Sequence, residues 1–457
     1  MSLALVFMFF IQSRQILLHA APMLIAQLAS MGMMVIDTVL LGHHGTEDLA
    51  AVAVGGGIYI AVVFALTGIL QAVAPMVSHL LGAARRDQIA GALHQCFWLA
   101  LLLTVPGVLF MQHPDALLGL SEIEPGVEAK VRAYLAILSW GIPASLFYRT
   151  FYAFCNALGQ PRPLMLISLG CTVLHALLAS LLVSGGVSGF AGLPPGGLGV
   201  LGCGISNVLV NWFALLCGLA FMVCGRSLAP YRLLHGWQAP RLAAIRDLLR
   251  LGLPMGFSNF VEISSFTLTA LFVAQLGATV VAGHRIVANL AALCYMLPLS
   301  LAIATLAQVG QAAGARDWWR ARLSALAGLL LAGVLATLLG GALWLGEEPL
   351  VMAYSNDPAV RQVALSLIIY IVVYQLFDAL QTIAAFALRG YKITLAPMFV
   401  HIFCFWGVAL FGGWWLAFRL PTPMGVSGFW LASLVSLILA AVLLGGLLWR
   451  VMRRPRG

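Results

Sequence analysis

The chain has 457 residues, 62% of them hydrophobic and 9% charged, with a net charge of +9. Soluble globular chains are nearer a quarter charged, so a mean hydropathy of +1.01 excludes an ordinary soluble domain. The positive charge falls in alternate connecting segments and is not gathered with exposed aromatics, which argues against a nucleic-acid surface and for a membrane topology signal.

Residues 1–12 are apolar but lack a basic n-region and a convincing small-residue cleavage site. They read as an interfacial stub or an overlong start ahead of Arg14, not as a cleaved signal peptide. Apolar runs then recur along the whole chain, each longer than the roughly 18 residues that cross a bilayer as a helix. The runs lack the period-two alternation of barrel strands, so helices are the only backbone solution in lipid. The expected spans are 16–41, 51–80, 91–111, 131–156, 164–184, 199–224, 248–276, 282–311, 322–345, 360–387, 395–418 and 426–450. Odd-to-even connections are short, as at Gly42–Asp48. The longest, about 225–247, carries Arg226, Arg232, Arg241 and Arg246 and reads as the linker between an N-lobe, 1–230, and a C-lobe, 231–457.

Of the 24 Lys and Arg residues, 18 belong to the N-terminus, the even-to-odd loops and the C-terminal tail. Four lie on the other side: Lys130, Arg132, Arg361 and Arg419. Arg149 and Arg285 lie within spans. The positive-inside rule then expects both termini in the cytoplasm.

Four pairs of short motifs recur in order, 226 to 232 residues apart. Ala-Ala-Pro-Met at 20–23 matches Gly-Leu-Pro-Met at 252–255. Gly82-Ala83-Ala84-Arg85-Arg86-Asp87 matches Gly314-Ala315-Arg316-Asp317. Ala157-Leu158-Gly159 matches Ala387-Leu388-Arg389-Gly390, and Gly199-Val200-Leu201-Gly202 matches Gly425-Val426-Ser427-Gly428. Six helices per repeat is an even number, so both units enter the membrane in the same direction, a parallel duplication of the transporter type.

Three of the 15 acidic residues lie well inside spans: Asp37, Glu262 and Asp378. An ionisable group at the bilayer centre costs about 2.5–3.5 kcal/mol on insertion scales, so stability does not explain them. A helix-end carboxylate reaching for headgroup water is the plainer alternative, and it suits Asp37 best. Tyr374, Gln375, Gln381 and Thr382 share a face with Asp378 at helical spacing, and Ser258, Asn259, Ser265 and Thr269 form a similar stripe with Glu262. Interhelical hydrogen bonding accounts for Ser and Gln, but not for a carboxylate. At an offset of 232, Asp37 corresponds to Thr269 and Glu262 to Ser30, so the acids break the symmetry that the motifs keep. His175 is either a packed polar contact or a titrating switch. Tyr295 offers a cation–π face, although most aromatics in membrane helices are packing or interfacial belt. The eight cysteines contain no C-x-x-C pair and read as packing residues. No Walker motif, zinc motif or nucleophile elbow occurs, so neither an ATP-driven pump nor an enzyme is expected.

The stretch Ile36-Asp37-Thr38-Val39-Leu40-Leu41-Gly42 with Leu49-Ala50-Ala51-Val52-Ala53-Val54-Gly55 stands out, as do Gly252-Leu253-Pro254 with Glu262, Met296-Leu297-Pro298-Leu299-Ser300, and Ala387-Leu388-Arg389-Gly390-Tyr391-Lys392. These segments resemble the multidrug and toxic compound extrusion (MATE) family, and most closely its NorM-like bacterial branch. The resemblance implies an all-α membrane protein of 12 transmembrane helices in two six-helix lobes forming a V-shaped cavity. It implies export of cationic drugs and dyes against Na+ or H+. Asp37 would then serve the N-lobe. Glu262, Asp378 and Tyr374 would form the C-lobe cation site, a possible Na+ site, with Tyr295 close by. The chain departs from the family at Gly283-His284-Arg285, at Gln308, and at His175 and Ala179, where the family often has two Asn.

The reading is therefore a multidrug efflux antiporter of the bacterial inner membrane that acts as a monomer on hydrophobic cations, with no cofactor beyond its coupling ion. Its candidate site residues are Asp37, Glu262, Asp378, Tyr374, Tyr295, Arg285, His175 and Asn259. The alternative is a lipid-linked or oligosaccharide flippase of related fold, which would be expected to show a more basic cavity. Arg285, turned inward, would pair with Glu262 or Asp378; turned outward, it would snorkel to headgroups.

Overall fold

The computed structural model describes residues 3–118, 125–185, 197–233 and 236–453, and among them regular structure is entirely helical. The principal helices are α1 (Leu3–His44), α2 (Thr46–Gly82), α3 (Arg86–Gln112), α4 (125–157), α5 (Pro161–Ser184), α6 (Val200–Cys224), α7 (Leu242–Ala274), α8 (Ala278–Gly314), α9 (Trp318–Leu345), α10 (Pro358–Gly390), α11 (Leu395–Phe418) and α12 (Val426–Arg453). Every expected span falls on one of them.

Eleven of the twelve are long and apolar enough to cross a membrane, counted over the described residues; one of them, α2, carries a turn at Gln71–Ala72. The exception is α4, made of Pro125–Ser139 and Ile142–Ala157 with a turn at Trp140–Gly141. Pro143 sits in the first turn of the second piece; it lacks an N–H and its ring crowds the preceding turn, so the helix restarts there. The turn leaves two pieces of 15 and 16 residues, each too short to span alone.

The described chain falls into two compact units. One comprises Ile25–Val77 and Arg85–Gly256; the other comprises Met1–Leu24, Ser78–Ala84 and Phe257–Gly457. The division cuts α1 after Leu24 and α7 after Gly256, positions 232 apart and each two residues beyond a proline inside the helix, Pro22 and Pro254.

In the unit built mainly from the C-terminal half, α10 packs against α8, α9 and α12. Its core is rich in alanine: Ala302, Ala304, Ala327, Ala332, Ala336 and Ala379 pack with Leu301 and Ile383. Small residues let backbones approach where lipid supplies no hydrophobic drive between helices. The first part of α1 belongs to this core. Ile16 and Ala20 are buried in it with Phe9 packed alongside, and Ser324 Oγ donates to Gln12 Oε1 at 3.0 Å. That corrects the reading of an interfacial stub: from Phe9 onward the segment is packed helix. Within α11, residues Ile402–Gly412 wind as a π-helix. Wider winding leaves carbonyls off the i−4 register, and two are taken by serines of neighbouring helices: Ser265 Oγ donates to Phe405 O at 2.9 Å and Ser436 Oγ to Cys404 O at 2.7 Å.

In the other unit, the long basic connection is strapped to α3. Trp98 Nε1 donates to Gln238 O at 3.0 Å, Gln95 Nε2 donates to Ala239 O at 2.9 Å, and Arg241 N donates back to Gln95 Oε1 at 2.7 Å. Trp237 stacks on His94 with ring centroids 4.3 Å apart.

Candidate functional site

Each unit holds its own set of intramembrane ionisable groups. In the first unit, Asp37 on α1 meets His175 on α5: His175 Nε2 lies 2.7 Å from Asp37 Oδ1. The imidazole has no exposed surface, whereas the Asp37 side chain retains 15%. Behind the ring, Ser206 on α6 places Oγ 3.0 Å from His175 Nδ1 and 3.4 Å from the His175 carbonyl oxygen. Thr172, three residues before His175, donates to Ala29 O at 2.8 Å and so fixes α5 against α1. Cys203, one turn before Ser206, lies beside Asp37, with Tyr134 of α4 next to both.

Asp, His and Ser in a row invite comparison with a hydrolytic triad. Ser206 is wholly buried and its hydroxyl is committed to the ring and a backbone carbonyl, so no carbonyl substrate can reach it. The arrangement can hold or share a proton; it cannot present a nucleophile.

In the second unit, α7, α8 and α10 bring Glu262, Tyr295, Tyr374 and Asp378 together. Asp378 is buried, and Gln381 Nε2 donates to its Oδ1 at 3.1 Å and to Thr382 Oγ1 at 3.0 Å. Tyr374 is buried against Trp430, edge to face with centroids 6.2 Å apart. Gln375 Nε2 and Oε1 and Gln381 Oε1 have no hydrogen-bond partner among the described residues, so the cluster keeps spare polar capacity.

The buried guanidinium here is Arg389, not Arg285. Arg285 is exposed on α8 and makes no ion pair among the described residues; its neighbour His284 turns inward and accepts from Trp430 Nε1 at 3.2 Å. Arg389 lies within α10, 4% exposed, although the loop count by side assigns it to a connection. Its Nη2 donates to Asn259 Oδ1 at 3.3 Å, its guanidinium sits 4.5 Å from the Phe386 ring centroid, and Glu262 is close enough to feel its charge. A signal for it was present: Arg389 is eleven residues from Asp378, three helical turns on the same face. Ser206 and Cys203 were also missed; their three-residue spacing marks one face of α6, but nothing in the sequence says which helix that face meets.

The chain is similar to known proteins over most of its length. The MatE family model matches the chain twice, over residues 22–181 and 254–415, with starts 232 residues apart. The chain belongs to the MatE family. The double match also establishes the duplication that the short motifs imply. A relative named probable multidrug resistance protein NorM, from Aromatoleum aromaticum, is 55% identical over 96% of this chain and 94% of its own length. A namesake from Chromobacterium violaceum is 38% identical over 97% of this chain and 95% of its own length. Among solved structures, the eukaryotic MATE transporter AtDTX14 matches with a TM-score of 0.86 over 98% of this chain and 97% of its own, at 18% identity. An outward-facing multidrug resistance MATE transporter of the MOP superfamily matches with a TM-score of 0.86, at 16% identity, over 97% of each chain. The chain thus has the MatE fold, in an all-helical multi-pass membrane protein of a transporter family.

Proposed function

We propose that this chain exports hydrophobic organic cations from the bacterial cytoplasm in exchange for Na+ or H+, by alternating access across the inner membrane, as a monomer with both termini cytoplasmic. The observation that carries this reading is the charge balance of the second set. Glu262 and Asp378 supply two carboxylates and Arg389 one guanidinium, so with both acids ionised the set holds one net negative charge. One monovalent cation balances it. A coupling ion and a cationic drug therefore compete for the same charge, and each one's binding weakens the other's, which is the reciprocal coupling an exchanger needs.

The side chains suit either coupling ion. Na+ takes oxygen ligands, and Glu262, Asp378 and Tyr374 offer them alongside the amide oxygens of Gln375 and Gln381. A proton needs only one of the carboxylates. The multidrug resistance names of the NorM relatives support the substrate class. The test is efflux of a fluorescent cationic dye from proteoliposomes, with Na+ and pH gradients imposed separately. Dye export that follows one gradient and is lost in Asp378→Asn at equal reconstitution supports the reading. Dye retention by the wild type under both gradients overturns it.

A further inference from the structure

The first unit holds a different device, and its chemistry centres on a histidine. The 2.7 Å contact between His175 Nε2 and Asp37 Oδ1 requires a proton between two atoms that would otherwise present lone pairs to each other. In the state with one proton on the pair, Nε2–H donates to an ionised Asp37 and the bare Nδ1 accepts from the Ser206 hydroxyl at 3.0 Å. A second proton has a prepared place. With Nδ1 protonated, Nδ1–H donates to Ser206 Oγ, and the hydroxyl hydrogen turns to the His175 carbonyl oxygen, 3.4 Å away. Every donor in the doubly protonated ring then has an acceptor, Ser206 keeps both of its roles, and Asp37 stays ionised as counter-ion. Without that carbonyl the Ser206 hydrogen would have no second acceptor, and a buried donor without one is costly.

Among the described residues, the surroundings supply no competing charge at the ring. From α1 the facing group is Asp37 itself. From α6 come Ser206 and Cys203, and from α4 comes Tyr134, with Tyr59 of α2 beyond it. Arg149, on the second piece of α4, lies over Tyr152 and beside Tyr59. Asp37 carries the pair's exposed surface, since His175 and Ser206 are wholly buried.

We propose that in this protein the coupling proton of the first unit is held on His175, as an imidazolium locked between ionised Asp37 and Ser206, and not on the Asp37 carboxyl. The inference rests on the exchange reading above and specifies what that reading leaves open, namely which ion the unit binds and which atom carries it. A bound proton makes the pair neutral overall. Its loss restores one negative charge at Asp37, the partner in reach of a cationic substrate, so proton and substrate exclude each other here too.

The test uses the full-length protein in lipid nanodiscs with nitrogen-15 histidine and carbon-13 aspartate. The chain has ten histidines, so the His175 signal is identified by its loss in His175→Gln. The expected result on acidification is one buried imidazole with protons on both ring nitrogens and an Asp37 carboxyl that stays ionised. Addition of tetraphenylphosphonium as cationic probe removes the Nδ1 proton. Ser206→Ala, which takes away the Nδ1–H acceptor, reduces the doubly protonated ring about tenfold at the pH where the wild type is half protonated, and Ser206→Thr restores it. A protonated Asp37 carboxyl beside a singly protonated ring overturns the proposal, as does a ring that gains no second proton on acidification of the folded protein. The ring state is read without transport. A wild type that exports no cation therefore sinks the exchange reading alone, and a wrong protonation site sinks this one alone.

Discussion

Gly82 at the end of α2 and Gly314 at the end of α8 are 232 residues apart in sequence and meet in one tight helix crossing. A Cβ at Gly82 would fall on the carbonyl of Gln311, and a Cβ at Gly314 would fall on the backbone of His79. Neither obstacle is a flexible side-chain tip, so the backbones themselves must part. The same crossing is tied by His79 Nε2, 2.8 Å from Gly390 O. Gly314→Ala and Gly82→Ala should each lower stability by about 1–3 kcal/mol, the usual cost of overpacking, read as a drop in thermal unfolding temperature in detergent. Gly341, with open space around its Cβ position, is the control, and Gly341→Ala should leave the temperature within a degree or two. Equal temperatures for Gly314→Ala and wild type would remove the crossing as a constraint.

The carboxylates of the second unit should be needed for transport and dispensable for insertion. Asp378→Asn preserves the hydrogen bond from Gln381 through its amide oxygen and removes only charge. Dye efflux should fall about tenfold or more, the scale of ordinary coupling energies, at unchanged membrane expression. Glu262→Gln should do the same, and Asp37→Asn should impair efflux through the other unit. Efflux at wild-type rate in Asp378→Asn would detach this residue from the cation site.

Arg389 and Arg285 make opposite predictions. Arg389 is buried beside Glu262, so Arg389→Gln raises the net negative charge of the set from one to two and gives a second monovalent cation a place. Efflux driven by an imposed Na+ gradient should rise relative to efflux driven by a pH gradient. Arg285 is exposed, and Arg285→Gln should leave that ratio as in the wild type. A changed ratio in Arg285→Gln, with none in Arg389→Gln, would return the role to the residue that sequence singled out.

Much of this architecture was legible in the chain. Long apolar runs can satisfy their backbone in lipid only as helices, so span positions follow from composition. Pro22 and Pro254 marked equivalent points of a repeat. The three acids were legible because a charge in a span is costly. Their partners were harder to see. His175 and Asp37 were both singled out, yet 138 residues separate them, and only the packing of α5 on α1 makes them a pair. The π-helical stretch of α11 left no trace in Ile402–Gly412, because it depends on Ser265 and Ser436 from other helices. The break in α4 did leave one, in Gly141 and Pro143, which the strong apolar pattern on either side concealed.

Asp115, in the connection between α3 and α4, is bonded by Arg132, with Nη1 2.6 Å from Oδ1. That hydrogen bond first, and the positive charge second, hold its carboxyl below the ordinary value, which is about 3.9. A depressed pKa stabilises the fold above the unfolded-state value and loses that contribution as pH falls through the lower folded-state value. Carbon-13 titration should therefore place the Asp115 midpoint below about 3.9 in the wild type, and Arg132→Gln should raise it toward that value. An unmoved midpoint in Arg132→Gln would show that the pair does not persist in solution.

The sidedness of the connections can be read by labelling single cysteines in a background freed of the eight native ones. Thr46, at the start of α2, is exposed and lies on the side that carries only four basic residues. On the other side Gln238 is the obvious sequence choice, but its amide packs at Gly91 and accepts from Arg241 Nη2 at 2.8 Å. Replacing it would loosen the strap that holds the connection to α3. Ala239 and Pro240 are exposed, and Ala239 meets Gln95 only through its backbone carbonyl, so Ala239→Cys keeps that bond. An impermeant maleimide added to intact cells should label Thr46→Cys and not Ala239→Cys, and permeabilisation should expose the second. Outside labelling of both would break the even helix count, because the two positions would then be joined by an even number of passes and not by the five, α2 to α6, that the fold places between them.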